Sequence, residues 1–222
     1  MRIISKAINH IILQLKIIVY RFSLMKCGIK FPLKAGGWSI GYDDILIIDS
    51  ELRRYIQRKK IRVLEFGSGV STLAILSILE NNFKNAYQFV SIEADPKWLK
   101  KMEYYVKRFI GDNGRFSLIK GDYLEKECGR QFDLVSSLSA YKKKSFDVVL
   151  IDAPPDDNGE DIRLDLCQEV LPFLASKGVL ILHDTRRINE MFAYAILSEK
   201  FRMAERHQTE KGISLFRFPH GE

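Results

Sequence analysis

Acidic and hydroxyl side chains gather around a glycine turn near residue 67. The mainly apolar run 61–66 is typical of a buried parallel strand, and it carries a carboxylate, Glu65, next to its end. Gly67-Ser68-Gly69 follows directly, and an apolar-periodic stretch from Val70 predicts a helix. Glycines let the backbone approach a ligand closely, and the helix N-terminus offers free N–H groups there. The pattern predicts a nucleotide-type cofactor site, with a turn that serves only helix–strand packing as the alternative.

The residues around this turn favour a cationic ligand over a pyrophosphate. A dinucleotide fingerprint would have a third glycine where the chain has Thr72, and Glu65 would repel a pyrophosphate. The stretch resembles motif I of the class I S-adenosylmethionine-dependent methyltransferases, in which the acidic residue and the glycine turn hold the methionine end of the cofactor. The cofactor-binding residues that this resemblance implies here are Glu65, Gly67, Ser68, Gly69, Ser71 and Thr72.

Two more acidic residues follow predicted strand ends. Glu93 comes 26 positions after Gly67, at the end of the second strand, where a carboxylate suits a ribose diol. Asp95 precedes Pro96 and is predicted to cap the next helix. The family resemblance places an acidic residue after the third strand near the adenine amino group, and Asp122 occupies that position. The alternatives are a solvated charge for Glu93 and an ordinary turn for Asp122.

Candidate catalytic residues follow the fourth and fifth predicted strands. Asp152 comes after the apolar run 148–151, and His183-Asp184 come after the run 179–182. The carboxyl ends of neighbouring parallel strands meet at one edge, so these side chains are expected to converge near the cofactor, with Asp152 in contact with it. They could supply a general base or a metal site for a hydroxyl acceptor, and His183 is the natural base near neutral pH. A buried structural histidine is the alternative.

The segments 151–155 and 182–187 resemble the branch of the family that methylates hydroxyls, which includes enzymes acting on sugars or polysaccharides and, at greater distance, catechol-type enzymes. Metal-dependent members use an aspartate after the fourth strand and an Asp-Asn pair after the fifth. The matches here are Asp152 and Asp184, with Thr185 in place of the asparagine. The resemblance therefore leaves open a Mg²⁺ ion held by Asp152 and Asp184, since Mg²⁺ accepts few protein ligands.

Three residues are candidates for contact with the acceptor. Arg163 and Arg186 could bind an anionic sugar or phosphate group, although ordinary surface arginines are the alternative. Trp38 could cover the bound ligands or could anchor the preceding segment to the core.

The elements that must position these residues form an α/β, doubly wound, seven-stranded sheet. The resemblance implies the strand order 3-2-1-4-5-7-6, closed by an antiparallel hairpin over 201–206 and 213–218. Predicted helices cover 45–56, 70–79, 97–109, 162–175 and 188–200. The chain then divides into an N-terminal extension, residues 1–60, and a methyltransferase domain, residues 61–222.

The N-terminal extension carries most of the positive charge. Residues 1–62 hold 13 Lys and Arg against 4 Asp and Glu, whereas residues 63–222 hold 22 against 24, so no nucleic-acid partner is expected. Residues 2–26 predict a basic amphipathic helix whose apolar stripe is Ile4, Ile8, Ile11, Leu15, Ile18 and Phe22. It could lie on a membrane surface, or pack on the domain or on a second copy as a homodimer. A targeting peptide is less favoured, and polar residues exclude a membrane span.

The sequence has three scattered cysteines and no Cys-x-x-Cys pair, which favours a location in the reducing cytoplasm. If residues 2–26 lie on a membrane, they would lie on the inner membrane surface, which faces the cytoplasm. Together the patterns predict S-adenosylmethionine-dependent O-methylation of a glycan or small-molecule hydroxyl. The alternatives are an NAD-dependent oxidoreductase or an aminopropyl transferase on the same fold, and a non-catalytic interaction module.

Overall fold

The computed structural model describes residues 40–217, apart from residues 85, 127–128, 153–161 and 202, together with residue 18. Trp38, most of the predicted amphipathic helix and the loop that begins at Ala153 lie outside the described residues.

A seven-stranded sheet forms the centre of the protein. Its strands are β1 (Ile61–Phe66), β2 (Tyr87–Glu93), β3 (Phe116–Lys120), β6 (Phe146–Ile151), β7 (Leu174–His183), β8 (Met203–His207) and β9 (Ile213–Arg217). The order is β3-β2-β1-β6-β7-β9-β8, and the first five of these run parallel. Strand β9 lies antiparallel between β7 and β8. This confirms the predicted doubly wound sheet with its terminal antiparallel hairpin.

A second, two-stranded sheet occupies a region for which the sequence predicted no regular structure. Strands β4 (Tyr123–Lys126) and β5 (Gly129–Phe132) pair antiparallel. Phe132 stacks edge-on against Phe66 and Tyr123, so this hairpin packs against the end of β1.

Six α-helices and one 3-10 turn lie among the described residues. They are α1 (Tyr42–Arg53), α2 (Val70–Phe83), α3 (Pro96–Ile110), α4 (Leu134–Leu138), α5 (Ile162–Val170), the 3-10 turn Leu171–Phe173 and α6 (Ile188–Lys200). Asp95 caps α3 as predicted, accepting from the N–H groups of Lys97 (2.7 Å) and Trp98 (3.2 Å). Helix α5 ends five residues before the predicted position, because Pro172 cannot continue the hydrogen-bond ladder.

The helices cover the two faces of the sheet with separate cores. Helices α1, α2 and α3 pack on one face against residues such as Val63 and Leu150, and α5 and α6 pack on the other against residues such as Leu64 and Val149. Alternate residues of β1 and β6 face opposite cores, so the strands are buried on both sides. This explains their nearly continuous apolar sequences.

Helix α1 is bound to the body of the protein, although the predicted domain boundary at residue 60 assigns it to the extension. Glu51 forms an ion pair with Arg217 of β9 (2.5 Å), and the Tyr55 hydroxyl after the helix donates to the Lys177 carbonyl (3.1 Å). None of the helices among the described residues has the length and hydrophobicity needed to cross a bilayer.

Candidate active site

Three strands of the sheet end side by side and bring three carboxylates to one edge. Phe66 is in register with Ile92 of β2 and with Ile151 of β6. Backbone bonds continue past the strands, from Gly67 N–H to the Ile92 carbonyl (2.9 Å) and from Asp152 N–H to the Phe66 carbonyl (2.9 Å). Glu65, Glu93 and Asp152, which belong to or follow these strands, therefore lie at the same edge of the sheet, where the sequence predicted functional residues.

Glu65 is fully buried, and only one of its two carboxylate oxygens has a partner. Oε2 accepts from the hydroxyls of Thr72 (2.6 Å) and Ser91 (2.7 Å), whereas Oε1 has no hydrogen-bond partner among the described residues. The buried Ser71 hydroxyl makes no hydrogen bond of good geometry among the described residues either, but it lies close enough to the Glu65 carboxyl to lower its pKa. Burial, helped by the charge of Asp152, outweighs the hydrogen bonds from Ser71, Thr72 and Ser91 and raises the pKa of Glu65 to about 8.

The Thr72 hydroxyl stabilises the glycine turn by hydrogen bonding to both of its sides. Its hydroxyl accepts from Gly69 N–H (2.8 Å) while donating to Glu65, and the residue is fully buried. The predicted contact between Thr72 and the cofactor is therefore replaced by an indirect role, in which Thr72 fixes Glu65 and Gly69. Gly67 has a φ of 88°, a conformation that favours glycine, and it turns the chain from β1 towards α2.

Glu93 ties the glycine turn to the end of β2. Its Oε2 accepts from Ser68 N–H (2.8 Å) and from the Ser68 hydroxyl (2.9 Å), and its Oε1 accepts from Asp95 N–H (2.8 Å). Burial raises the pKa of this carboxyl. The Trp98 indole donates to the Ser68 carbonyl, so α3 also holds the turn. Glu93 Oε1, which accepts one bond where Oε2 accepts two, keeps lone-pair capacity for a further donor, such as a ribose hydroxyl.

Asp122 lies at the surface beyond β3. Its carboxylate is exposed and forms an ion pair with Lys120 (2.7 Å). Contact between Asp122 and an adenine amino group stays a prediction.

A buried histidine lies between two carboxylates at this edge of the sheet. His183 Nδ1 is 2.5 Å from Asp152 Oδ1, and Nε2 is 3.1 Å from Asp44 Oδ2. His183 and Asp44 are completely buried, whereas the Asp152 side chain is 11 % exposed. Asp152 is therefore the member of this triad that can reach a ligand.

The structure corrects the prediction that His183 is the general base. Burial alone lowers the pKa of His183, but the charge and hydrogen bond of Asp152, the hydrogen bond of Asp44 and the charge of Asp184 outweigh it and raise the pKa to about 10. The imidazole is thus protonated near neutral pH, and both ring nitrogens donate to carboxylates. A ring without a free lone pair cannot take a proton from the acceptor, so His183 positions Asp152 instead.

Asp44 is the residue of the site that sequence reasoning missed. The sequence placed it in a loop, but it lies in the first turn of α1, where Oδ2 accepts from Gly41 N–H (3.1 Å). The Thr209 hydroxyl, in the loop between β8 and β9, donates to its other oxygen. An acidic residue in a first helical turn is common for helix stability alone, so the pattern gave no signal of a role at the site.

Arg163 is buried beneath the site, which corrects its predicted role in acceptor binding. It is 3 % exposed, and its guanidinium donates to the His183 carbonyl (3.0 Å). It also pairs with Glu190 of α6 (3.2 Å) and lies 3.5 Å from Asp184. Arg163 therefore joins α5 to the end of β7 and to α6, and it neutralises buried carboxylates.

Asp184 is held in a fixed, uncommon backbone conformation. Its φ of 62° lies in the left-handed region, and Arg187 pairs with its Oδ2 at 2.9 Å. Its other oxygen is 3.8 Å from His183 Nδ1. Arg186 is exposed beside it and donates to the Glu210 carbonyl (3.0 Å), so its predicted contact with an anionic acceptor stays open as a prediction.

Three of these residues form a possible metal site. Potential ligand atoms of Asp152, His183 and Asp184 lie within 4.8 Å of one another. However, Asp152 Oδ1 is paired with the imidazolium and Asp184 Oδ2 with Arg187, and a protonated His183 is not a ligand. Thr185, the predicted oxygen donor, is buried and its hydroxyl accepts from Ser214 (3.2 Å). These pairs compete with a divalent cation such as Mg²⁺ for the same oxygens, and a metal site at Asp152 and Asp184 stays a prediction.

The turn, by contrast, fits a ligand that carries positive charge. Glu65 Oε1 is a buried acceptor without a hydrogen-bond partner among the described residues, and Glu93 and Asp152 add negative charge at the same edge of the sheet. A buried unpaired carboxylate oxygen is costly, so a cationic donor placed beside it would be stabilised. An ammonium or sulfonium ligand matches this site, and a pyrophosphate does not.

Binding of such a ligand should depend on the ionisation of Glu65. A cation favours the charged carboxylate, whereas the raised pKa of about 8 keeps Glu65 protonated at lower pH. We expect the affinity for S-adenosylhomocysteine to fall by about 10–50-fold from pH 8 to pH 6, because binding must release a proton. Calorimetry across this range checks the slope, and Glu65→Gln should flatten it. An equal slope in Glu65→Gln would assign the proton to another group.

Comparison with known proteins agrees with the geometry. A family model described as a methyltransferase domain matches residues 64–185, from β1 to the loop after β7. No curated protein matches the chain by sequence.

Solved structures share the whole fold at low sequence identity. An O-methyltransferase from Bacillus cereus in complex with S-adenosylhomocysteine is 15% identical, with a TM-score of 0.63 over 90% of each chain. A Podospora anserina methyltransferase with the same ligand is 17% identical, with a TM-score of 0.59 over 90% of this chain and 87% of that one. A Streptomyces achromogenes O-methyltransferase involved in tomaymycin synthesis is 12% identical, with a TM-score of 0.59 over 91% and 89%. The family match spans more than half of the chain and includes the glycine turn, Glu93, Asp152 and Asp184, and the chain therefore belongs to this family of methyltransferase domains.

Proposed function

We propose that the protein transfers a methyl group from S-adenosylmethionine to a hydroxyl oxygen of a glycan or small molecule. The observation that carries the proposal is the unpaired, buried Glu65 Oε1 beside the glycine turn, on the same sheet edge as the partly exposed Asp152. This arrangement supports a site for a cation next to a carboxylate that would take a proton.

Different residues of the site would bind different parts of the cofactor. Glu65 would accept from the cofactor's ammonium group, the backbone of 67–69 would approach it closely, and Glu93 would accept from the ribose hydroxyls. The cofactor supplies an activated methyl group on a sulfonium, so the protein has mainly to align donor and acceptor.

Asp152 is assigned the proton of the acceptor hydroxyl. As the new C–O bond forms and the C–S bond breaks, the hydroxyl proton passes to an Asp152 carboxylate oxygen. His183 holds that carboxylate through Nδ1 and is itself held by Asp44 through Nε2. The arrangement fixes the Asp152 carboxylate in position and does not need a metal ion.

Two further observations support the class of acceptor and the cellular compartment. Arg186 is exposed two residues beyond Asp184, which supports an acceptor with an anionic group. The scattered cysteines, with no Cys-x-x-Cys pair, support a cytoplasmic location.

Titration calorimetry with S-adenosylhomocysteine tests the cofactor. We expect micromolar binding, weakened by about 1–3 kcal/mol in Glu93→Ala, because a charge-assisted hydrogen bond to the ribose is lost. Glu103→Ala, an exposed glutamate on α3, is the matched control and should bind like the wild type. EDTA or added Mg²⁺ should leave the affinity unchanged.

Two results would count against the proposed methyl transfer, and a third would count only against the metal-free mechanism. Absence of binding in the wild type would overturn it in favour of an interaction module. Selective tight binding of NAD would favour an oxidoreductase. Methyl transfer that occurs only with added Mg²⁺ would restore the metal site predicted from Asp152 and Asp184.

A further inference from the structure

The loop between β8 and β9 is bonded to the first turn of α1. The Thr209 hydroxyl donates to Asp44 Oδ1 and accepts from Gly212 N–H (2.9 Å), so its single proton is committed to the carboxylate. A second bond runs from Glu210 N–H to Asp43 Oδ2 (3.1 Å). Asp44 is completely buried and Thr209 is 7% exposed, which shields the bond between them from solvent. The last hairpin thus fixes one oxygen of a buried carboxylate.

Gly41 contacts the other oxygen of the Asp44 carboxylate. Its N–H donates to Oδ2 (3.1 Å), and a Cβ at this position would lie only 2.8 Å from the same atom. The φ of Gly41 is −75°, which residues with side chains adopt freely, so glycine is needed here for space rather than for backbone conformation. A side chain at this position would displace the carboxylate.

The position of Asp44 determines the orientation of the Asp152 carboxylate through one rigid ring. Asp44 Oδ2 is 3.1 Å from His183 Nε2, and Asp152 Oδ1 is 2.5 Å from Nδ1 of the same imidazole. Because the imidazole is planar and rigid, a shift at one nitrogen is transmitted to the other. Three hydrogen bonds therefore connect the Thr209 hydroxyl to the partly exposed Asp152 carboxylate.

Stabilisation of α1 alone does not explain this arrangement. An acid in the first turn of a helix interacts favourably with the helix N-terminus, but it can do so while exposed to water. The complete burial of Asp44 costs free energy unless its charge and its lone pairs are matched. The groups that match them are Gly41 before the helix, His183 at the end of β7 and Thr209 between β8 and β9. Such convergence indicates that the carboxylate serves the active site.

We propose that Gly41, Asp44 and Thr209 are positioning residues for the methyl-transfer reaction, and we call them the Asp44 clamp. The clamp holds the His183 imidazole, which in turn holds the Asp152 carboxylate in position for the hydroxyl proton. This inference rests on the proposed role of Asp152 as the base, and it names the parts of the chain that keep the base in place.

The Asp44 clamp lies outside the segment that the family model matches, residues 64–185. Its members come from the start of α1 and from the loop between β8 and β9, which lie on either side of that segment in the sequence. The clamp is thus contributed by both flanks of the matched domain, and a chain restricted to the matched segment would lack it.

NMR of the full chain with isotope-labelled histidine tests the position of the imidazole without any ligand. The ring N–H protons of the completely buried His183 should exchange slowly with water, unlike those of the exposed His207. We expect Thr209→Val, which keeps the shape of the side chain but lacks the hydroxyl, to shift or broaden the His183 signals. Thr209→Ser should restore them. Gly41→Ala should shift them as well, because it displaces the Asp44 carboxylate by direct contact.

Ser214→Ala is the matched control. Ser214 is completely buried in the same terminal hairpin, and its hydroxyl donates to Thr185 (3.2 Å) rather than to the Asp44 clamp. The variant also removes a buried hydroxyl, but it should change the His183 signals much less than Thr209→Val does. Thermal unfolding of each variant establishes that it is folded under the conditions of the measurement.

Single-turnover methyl transfer with saturating cofactor gives the consequence for catalysis. A misplacement of about 1 Å can lower a rate about 100-fold, so we expect Thr209→Val and Gly41→Ala to lose about 10–100-fold in rate. Thr209→Ser should keep most of the rate. The affinity for S-adenosylhomocysteine should stay close to that of the wild type in all three variants, since the clamp does not contact the glycine turn.

Three results would overturn the proposal. These are unchanged His183 signals in Thr209→Val, a wild-type rate in Thr209→Val despite shifted signals, and an equal loss in Thr209→Ser, which would assign the effect to the shape of the loop. A wild type that binds no S-adenosylhomocysteine or transfers no methyl group would instead contradict the proposed function. The NMR comparison would still show whether the Asp44 clamp holds the imidazole.

Discussion

Asparagine in place of Asp152 should lower the rate of methyl transfer about 10³-fold, within the range typical of a lost general base. The substitution keeps the size of the side chain but removes the group assigned to take the hydroxyl proton. Single-turnover measurements with saturating cofactor and a methylated-product readout separate this effect from binding. Affinity for S-adenosylhomocysteine should change much less than the rate.

A second aspartate associated with the same strand provides the control. Asp147 lies at the opposite end of β6, where it pairs with Arg58 and accepts from Arg62 N–H (2.9 Å). Asp147→Asn should affect stability without a comparable loss of rate per folded molecule. If Asp152→Asn turned over like the wild type, the proton would have to leave by another route, and the assignment would be wrong.

Removing the imidazole of His183 should destabilise the fold by about 3–5 kcal/mol, the range measured when one partner of a buried ion pair is lost. His183→Ala leaves the completely buried Asp44 and the nearly buried Asp152 without their shared cation. Urea unfolding at pH 7 gives the free energy directly. His207→Ala is the control, since His207 is 38% exposed on β8 and should change stability little.

The pH dependence separates the charge of His183 from its packing. The folded pKa of about 10 lies above the ordinary value of 6.5, so the folded state binds the proton more tightly. This stabilisation is fully present below about pH 6.5 and is lost as the pH rises through about 10. The difference in unfolding free energy between wild type and His183→Ala should shrink over that interval. A difference that is constant from pH 6 to pH 10 would mean that packing alone explains it.

The sheet and the cofactor end of the site were predictable because their signals are local. Short apolar runs, each followed by glycine or acid, indicated parallel strands that end in functional residues, and the family match confirms the fold class. Glu65 and Glu93 lie where this pattern placed them, since strand register alone fixes them at one edge.

The catalytic end was less predictable because it depends on distant partners. The residue type of His183 suggested a general base. Its raised pKa depends on the carboxylates on either side of it, and one of them, Asp44, is 139 positions away in the sequence. Arg163 appeared as a surface cation, and its burial depends on Asp184 and Glu190. No short-range pattern encodes such a pairing, since it arises when separate elements pack together.

The hydrogen bond between Thr209 and Asp44 can form only late in the synthesis of the chain. These residues are 165 positions apart, so the hydroxyl that bonds Asp44 leaves the ribosome long after the carboxylate does. Until the last hairpin has emerged from the ribosome, the Asp44 carboxylate lacks one of the hydrogen bonds that offset the cost of its burial. Contacts of such long range form late and slow folding. Active-site assembly should therefore be among the last steps of biosynthesis, and a chain halted before residue 209 should be prone to capture by chaperones or proteases.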